Sequence, residues 1–181
     1  LETAKETEKQ LQDQMDQYIK WSVTLRELQK LADEEKYMDV VIEIDKNLAG
    51  LDLPEKLKAE FNDLSETCKP KSVGQFYESA MQKYQSNRDA KDPKAFKESA
   101  DLFRMAVKII DELEEKPSYA VQVYYYGGKA ISLSESPNKE EANKEAVDCF
   151  GKVISTAPGS KFASYAQARI NEINAGESLR P

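Results

Sequence analysis

The stretch Ala142-Asn-Lys-Glu-Ala-Val-Asp-Cys-Phe150, which runs on to Pro158, occurs twice in this chain. Set against Ala95-Phe-Lys-Glu-Ser-Ala-Asp-Leu-Phe103, it is identical at five of nine positions at a constant offset of 47 residues. Downstream, Val153-Ile154 stands opposite Ala106-Val107. A fixed offset in this range marks stacked structural repeats, each too small to bury its apolar face alone.

Composition sets the class around that repeat. The 181 residues are one third charged and rich in Ala, Leu, Lys, Glu and Gln, which favours helix throughout. The length suits one domain, or a short solenoid with an appendage. A net charge of −7 with Lys and Arg scattered along the chain leaves no basic stripe to follow a phosphate backbone, so nucleic acid is not expected as a partner. There is no histidine, which removes the commonest general base and metal ligand together. Cys68 and Cys149 lie 81 residues apart without zinc-type spacing and read as buried free thiols, so no metal or cofactor is expected. No apolar run is long enough to cross a bilayer, so this stretch of chain is not expected to insert into one. The first residue is Leu1 rather than Met, as in a processed or truncated piece with room for an anchor upstream.

Proline divides the helical patterns. Pro54, Pro70, Pro93, Pro117, Pro137 and Pro158 fall between them, where a missing N–H does no harm. The punctuation predicts eight helices, near 3–33, 37–49, 54–68, 73–87, 93–115, 118–134, 139–156 and 161–175, and no sheet. Residues 1–16 carry only a thin apolar stripe and read as an exposed helical extension, with residues 17–181 forming the repeat domain. A loose heptad through Leu11, Met15, Tyr18 and Leu25 also permits a coiled coil. Ala49-Gly50 reads as a helix stop, Asp92 as a cap before Pro93, and Ser72/Gln75 and Asn138/Glu141 as capping boxes. Helix pairs are expected near 18–49, irregularly over 54–87, at 73–115 and at 118–156, with 161–175 as a capping helix. Gly127-Gly128 inside a helix costs about 1 kcal/mol per glycine relative to alanine, and close approach by a neighbouring helix is the plain reason.

These pairs resemble tetratricopeptide repeats. Ala146-x-x-x-Phe150 runs on to Pro158 at the family's spacing, Tyr126-Gly127 takes the place of its Leu-Gly, and Val123 its large residue. In the preceding copy Phe76, Ser79-Ala80, Ser99, Phe103 and Ala106 fill the same places. Two departures stand out. The spacings Ala80 to Ser99 and Gly127 to Ala146 exceed the family's by about seven residues, and the aromatic closing the first helix is displaced. The resemblance implies an all-α, right-handed superhelical stack of antiparallel helix pairs, preceded by a long N-terminal helix. Pro158-Gly-Ser-Lys-Phe-Ala163 followed by Ala166 also resembles repeat junctions of extracytoplasmic bacterial members, the Tol-Pal-associated and outer-membrane-assembly lipoproteins. This tilts the expected setting toward an extracytoplasmic domain of an exported or anchored protein.

The resemblance further implies a non-enzymatic scaffold whose concave face, lined by the first helix of each pair, holds a protein or peptide. Transferred onto this chain, the groove residues are Tyr77, Met81 and Tyr84 from one pair and Tyr124, Gly128 and Ile131 from the next. For any one tyrosine the alternative is gap-filling between long helices. Some family members grip a carboxylate-ending peptide with a fixed set of Lys, Arg and Asn; these transferred positions hold Tyr, Met, Gly and Ile instead, so that activity is not expected. A different class is a structural or oligomerising spacer of a larger, membrane-anchored protein, self-associating through residues 1–32. An enzyme would have to use Cys149 or the acidic run Asp111-Glu-Leu-Glu-Glu115; the first stands beside the packing Phe150 without a base, and the second reads as a solvated helix end.

Overall fold

A computed structural model describes residues 2–48, 50–89, 93–177 and 179–180. Among these the chain is all-helical: α1 (Glu2–Asp33), α2 (Tyr37–Asn47), α3 (Glu55–Ser86), a 3-10 turn (Pro93–Phe96), α4 (Lys97–Glu112), α5 (Ala120–Leu133), α6 (Lys139–Thr156) and α7 (Lys161–Asn174). No strand occurs among the described residues. The chain divides into two compact units, Leu1–Ser72 and Val73–Pro181, with the division inside α3.

In the first unit α1 runs unbroken past position 16, and every residue from Glu6 to Lys20 is exposed. Burial begins where the apolar density rises, at Leu25 and Leu28, which share the core with Val40 and Val41 of α2. The α1–α2 turn closes by backbone bonds from Lys36 N–H to Leu31 O (2.9 Å) and Glu35 N–H to Ala32 O (3.0 Å), with Glu35 in the left-handed region at φ 59°. That is the geometry a helix uses to satisfy its last carbonyls, here without the usual glycine. Gly50 supplies a second left-handed turn at φ 84°; Ala49 beside it lies outside the described residues.

The chain departs from the predicted helices at Pro70. The segments 54–68 and 73–87 are one helix, and Pro70 sits inside it. Proline in a helix interior removes one backbone bond and crowds the preceding turn. Here Pro70 is on the exposed side, while buried Cys68, Val73 and Phe76 favour continuing the helix. Ser72 is therefore not a cap. It is fully buried mid-helix, and its hydroxyl donates to Lys69 O at 2.8 Å.

In the second unit each helix packs on the next, α4 on α5, α5 on α6 and α6 on α7, with a further contact between α5 and α7. The α4 pattern shows why: Ser99, Ala100, Phe103, Ala106, Val107, Ile109 and Ile110 recur at helical spacing and are all buried. Local chemistry sets the ends. Asn138 Oδ1 accepts from Glu141 N–H at 3.1 Å to start α6, and Ser160 Oγ accepts from Ala163 N–H at 3.1 Å to start α7. The Glu141 carboxylate reaches Asn138 Nδ2 (3.3 Å) rather than its backbone N–H, so the box is half formed. Asp92, expected as the cap before Pro93, lies outside the described residues.

The two repeats share their inner contacts. In one, Ser99 Oγ donates to Ala80 O at 2.9 Å, and Phe103, fully buried, meets the Tyr77 ring at 6.4 Å. In the other, Gly128 lies against Ala146 O and the ring of fully buried Phe150, which meets Tyr125 at 5.8 Å. The two glycines of α5 serve different neighbours. Gly127 faces Phe103 and Val107 of α4, and Gly128 faces α6.

A methyl group at Gly127 would lie 3.5 Å or more from its neighbours, whereas at Gly128 it would stand 2.9 Å from the Phe150 ring and 3.1 Å from a backbone oxygen. Adjacent substitutions should therefore have opposite signs. Gly127→Ala is expected to stabilise by about 0.5–1 kcal/mol through helix propensity, and Gly128→Ala to destabilise by about 1–3 kcal/mol through overpacking. Urea titration of both variants reads the difference.

Candidate functional site

The second unit brings three helices together around a depression of about 310 Å³. The end of α3 supplies Met81, Tyr84, Gln85 and, just beyond it, Arg88; α5 supplies Tyr125, Tyr126 and Lys129; α7 supplies Phe162 and Tyr165. These side chains converge because the helices turn their other faces inward. Ala80, Val123, Ala130 and Ala166 are fully buried and hold the backbones close, so the larger residues beside them project into the gap.

The aromatic groups form a connected network. Tyr84 meets Tyr126 edge-on at 5.8 Å and Phe96 at the same distance. Tyr125 meets Phe162 at 5.3 Å and Tyr165 at 6.3 Å. Such edge-to-face pairs add about 0.5–1.5 kcal/mol each beyond the area they bury. Exposure grades across the wall: Tyr84 is nearly buried, Met81 and Tyr126 are half-buried, and Tyr165 is exposed.

The polar groups are few. Lys129 is only 8% exposed, its ammonium stands 5.8 Å from the Tyr84 ring centre, and among the described residues no carboxylate reaches it as an ion pair. Burial brings its pKa down to about 8, the charges of Arg169 and Arg88 push the same way, and Glu172 opposes them. Arg169 bonds Glu172 through Nη1 (2.5 Å), but its Nε–H is buried without an acceptor. Burial works against the Arg169 charge, while hydrogen bonds with Tyr125 and Glu172 outweigh it. The Tyr84 hydroxyl is also buried without a partner, and burial raises its pKa.

Of the residues expected in a groove, Met81 and Tyr84 line this depression. Tyr77 stands about one turn back on α3, stacked on Tyr119 at 5.5 Å. The three α5 residues are placed elsewhere. Tyr124 is 1% exposed and donates from its hydroxyl to Asp111 Oδ1 at 2.8 Å; Ile131 is 1% exposed; Gly128 is covered by Phe150. The cause is a one-residue change of register. Contacts on α4 and α6 repeat at 47 residues (Ser99 to Ala146, Phe103 to Phe150), but the matching contacts on α3 and α5 repeat at 48 (Tyr77 to Tyr125, Ala80 to Gly128). One residue turns a helix by about 100°. The α5 positions that open on the depression are accordingly Tyr125 and Lys129, not Tyr124 and Gly128.

Cys149 and Asp111, weighed above as catalytic groups, lie together on the surface shared by α4 and α6. Asp111 accepts from Tyr124 and pairs with Lys152 Nζ at 2.8 Å, and Lys152 also holds Asp148 at 2.7 Å. Arg104 spans α4 and α6 with three bonds to Glu145 (2.9, 3.1 and 2.9 Å) and one to Asp101. Cys149 beneath them is 2% exposed, and burial pushes its thiol up to about 12, opposite to the activation a nucleophile needs.

Comparison of the chain with protein-family models, with curated proteins and with solved structures gives no match.

A lysine buried without a counter-ion weighs against folding. Lys129→Met keeps the side chain's length and removes the charge, so it should stabilise at pH 7 by about 1–3 kcal/mol. Because the folded amine titrates near 8 and the unfolded one near 10.5, the wild-type penalty is full below pH 8 and fades between those values. The difference in Tm between variant and parent should narrow as pH rises from 7.5 to 10.

Proposed function

We propose that this chain is a non-enzymatic scaffold that binds a protein or peptide on the concave face of stacked, tetratricopeptide-like helix pairs. On this proposal, the second half of α3 pairs with α4, α5 pairs with α6, and α7 caps a right-handed stack. The matching surroundings of Phe103 and Phe150, each buried on a second helix against a first-helix tyrosine, support the pairing.

One observation carries the functional part. Three first helices present Met81, Tyr84, Tyr125, Tyr126, Phe162 and Tyr165 to a single open depression. Tyrosine and methionine are residues that anchor partners, offering large contact area with an adaptable or polar tip. The paired charges and buried thiol of the opposite face support a structural rather than chemical role there. No helix among the described residues is long and apolar enough to cross a membrane. The resemblance at Pro158–Ala166 supports an extracytoplasmic setting.

Peptides selected from a displayed random library on the full chain provide the test. In Met81→Ala/Tyr165→Ala, truncation of two open-side contacts should weaken the selected peptides tenfold or more, at about 1 kcal/mol or above per anchor, without lowering Tm by more than a few degrees. Equal affinity in the folded double variant would remove the groove.

A second proposal rests on α1. Leu11, Met15, Ile19 and Val23 follow one another at four-residue spacing and are 47–61% exposed, a stripe suited to a second helix. If the chain self-associates through α1, light scattering should show a dimer that Met15→Glu converts to a monomer. A monomeric parent at 100 μM, on the order of the weakest useful dimer, would discard it.

A further inference from the structure

We infer that the depression between α3, α5 and α7 receives a carboxylate carried next to an apolar group, seated on the Lys129 ammonium. The inference rests on the groove proposed above and specifies the chemistry of its occupant.

Among the described residues, two donors of this depression and one beside it have no acceptor. The Lys129 side chain is 8% exposed and meets no carboxylate, the Tyr84 hydroxyl is buried without a partner, and so is Arg169 Nε–H beside them. Their charges act on one another: Arg169 and Arg88 disfavour the Lys129 ammonium and favour ionisation of Tyr84. The groups facing Lys129 are thus Tyr84 and Arg88 from α3 and its end, Tyr125 and Tyr126 on α5, and Arg169, Tyr165 and Glu172 on α7. Glu172 is the single carboxylate among them, and Arg169 already engages it. The chain has 33 acidic residues against 26 basic ones, yet Arg88 and Lys129 line this depression with Arg169 nearby, and among the described residues Lys129 meets no carboxylate. Buried polar groups are as a rule satisfied, and a bare buried charge costs more than a neutral donor. A bound carboxylate supplies what is missing: two oxygens with several acceptor positions and one negative charge. Met81, Tyr126, Phe162 and Tyr165 surround that point with apolar surface, which is where the group next to the carboxylate would pack.

The carboxylate could come from a chain end or from an acidic side chain, and three small probes distinguish the sources. N-acetylphenylalanine carries the first, N-acetyl-glutamyl-phenylalaninamide the second, and N-acetylphenylalaninamide neither. Each is titrated into the isotope-labelled full chain at low salt, following the backbone amides of Tyr126, Lys129 and Arg169. At least one acid should move these amides with an affinity ten times or more above that of the neutral amide. Lys129→Met should remove that advantage while leaving the neutral amide's weak binding unchanged. Equal binding of acid and neutral probes overturns the carboxylate and leaves the groove standing. An undiminished acid preference in Lys129→Met overturns the assignment to this lysine. If no probe moves these amides the inference falls, and the displayed-peptide selection then judges the groove separately.

Discussion

Two helices approach only as closely as the smallest residues between them allow. In the second unit that limit is set by Ala80 beneath Ser99, by Gly127 beneath Phe103, and by Gly128 beneath Ala146 and Phe150. With backbone rather than side chain at those points, the rings of Phe103 and Phe150 fill the space alongside and are fully buried. Interiors pack to crystal-like density, so a side chain of fixed volume must go wherever the remaining room is. On the tightly approached side Tyr77 and Tyr125 meet those phenylalanines, and Tyr124 is buried with its hydroxyl on Asp111. Their partners therefore turn outward, and the depression between α3, α5 and α7 follows from contacts made on the inner faces.

How much of this was legible depends on which helix carried the signal. The second helices keep Lys, Glu, Asp and Phe at identical positions, and the 47-residue offset correctly aligned Phe103 with Phe150. The first helices share almost no identical residues, so nothing in the text shows that their contacts repeat at 48. That single residue is taken up between the small contacts, Ala80 to Ser99 in one repeat and Gly128 to Ala146 in the next. It exchanged Tyr125 for Tyr124, and Lys129 for Gly128, as residues that line the depression. The double glycine was the available clue. Two neighbouring positions about 100° apart need two close neighbours, and only one had been assigned.

Pro70 shows the other limit. Proline between polar residues ordinarily ends a helix, and Lys69-Pro-Lys71 has that character. What overrides it is tertiary: Cys68, Ser72, Val73 and Phe76 are each buried on a continuous helical face. The cost of an interior proline, about 3 kcal/mol or more, is offset by burying several side chains worth about 1.5–3 kcal/mol apiece. Local propensity cannot report a sum made elsewhere in the fold.

The charges of the second unit are paired differently on its two faces. On the face shared by α4 and α6, Arg104 holds Glu145 and Asp101, and Lys152 holds Asp111 and Asp148, so each cation there is matched by carboxylates. Lys152 keeps its charge firmly, since these bonds outweigh the burial that opposes it. On the face shared by α3, α5 and α7, a lysine buried more deeply than either has none among the described residues. Both faces belong to one chain rich in acidic residues, so scarcity of partners does not explain the contrast. A methionine at position 129 would fit the aromatic wall as well as its neighbour Met81 does, without the penalty of desolvating an ammonium. The charge at position 129 costs stability that no carboxylate among the described residues returns, and a bound carboxylate of the kind proposed above would return it.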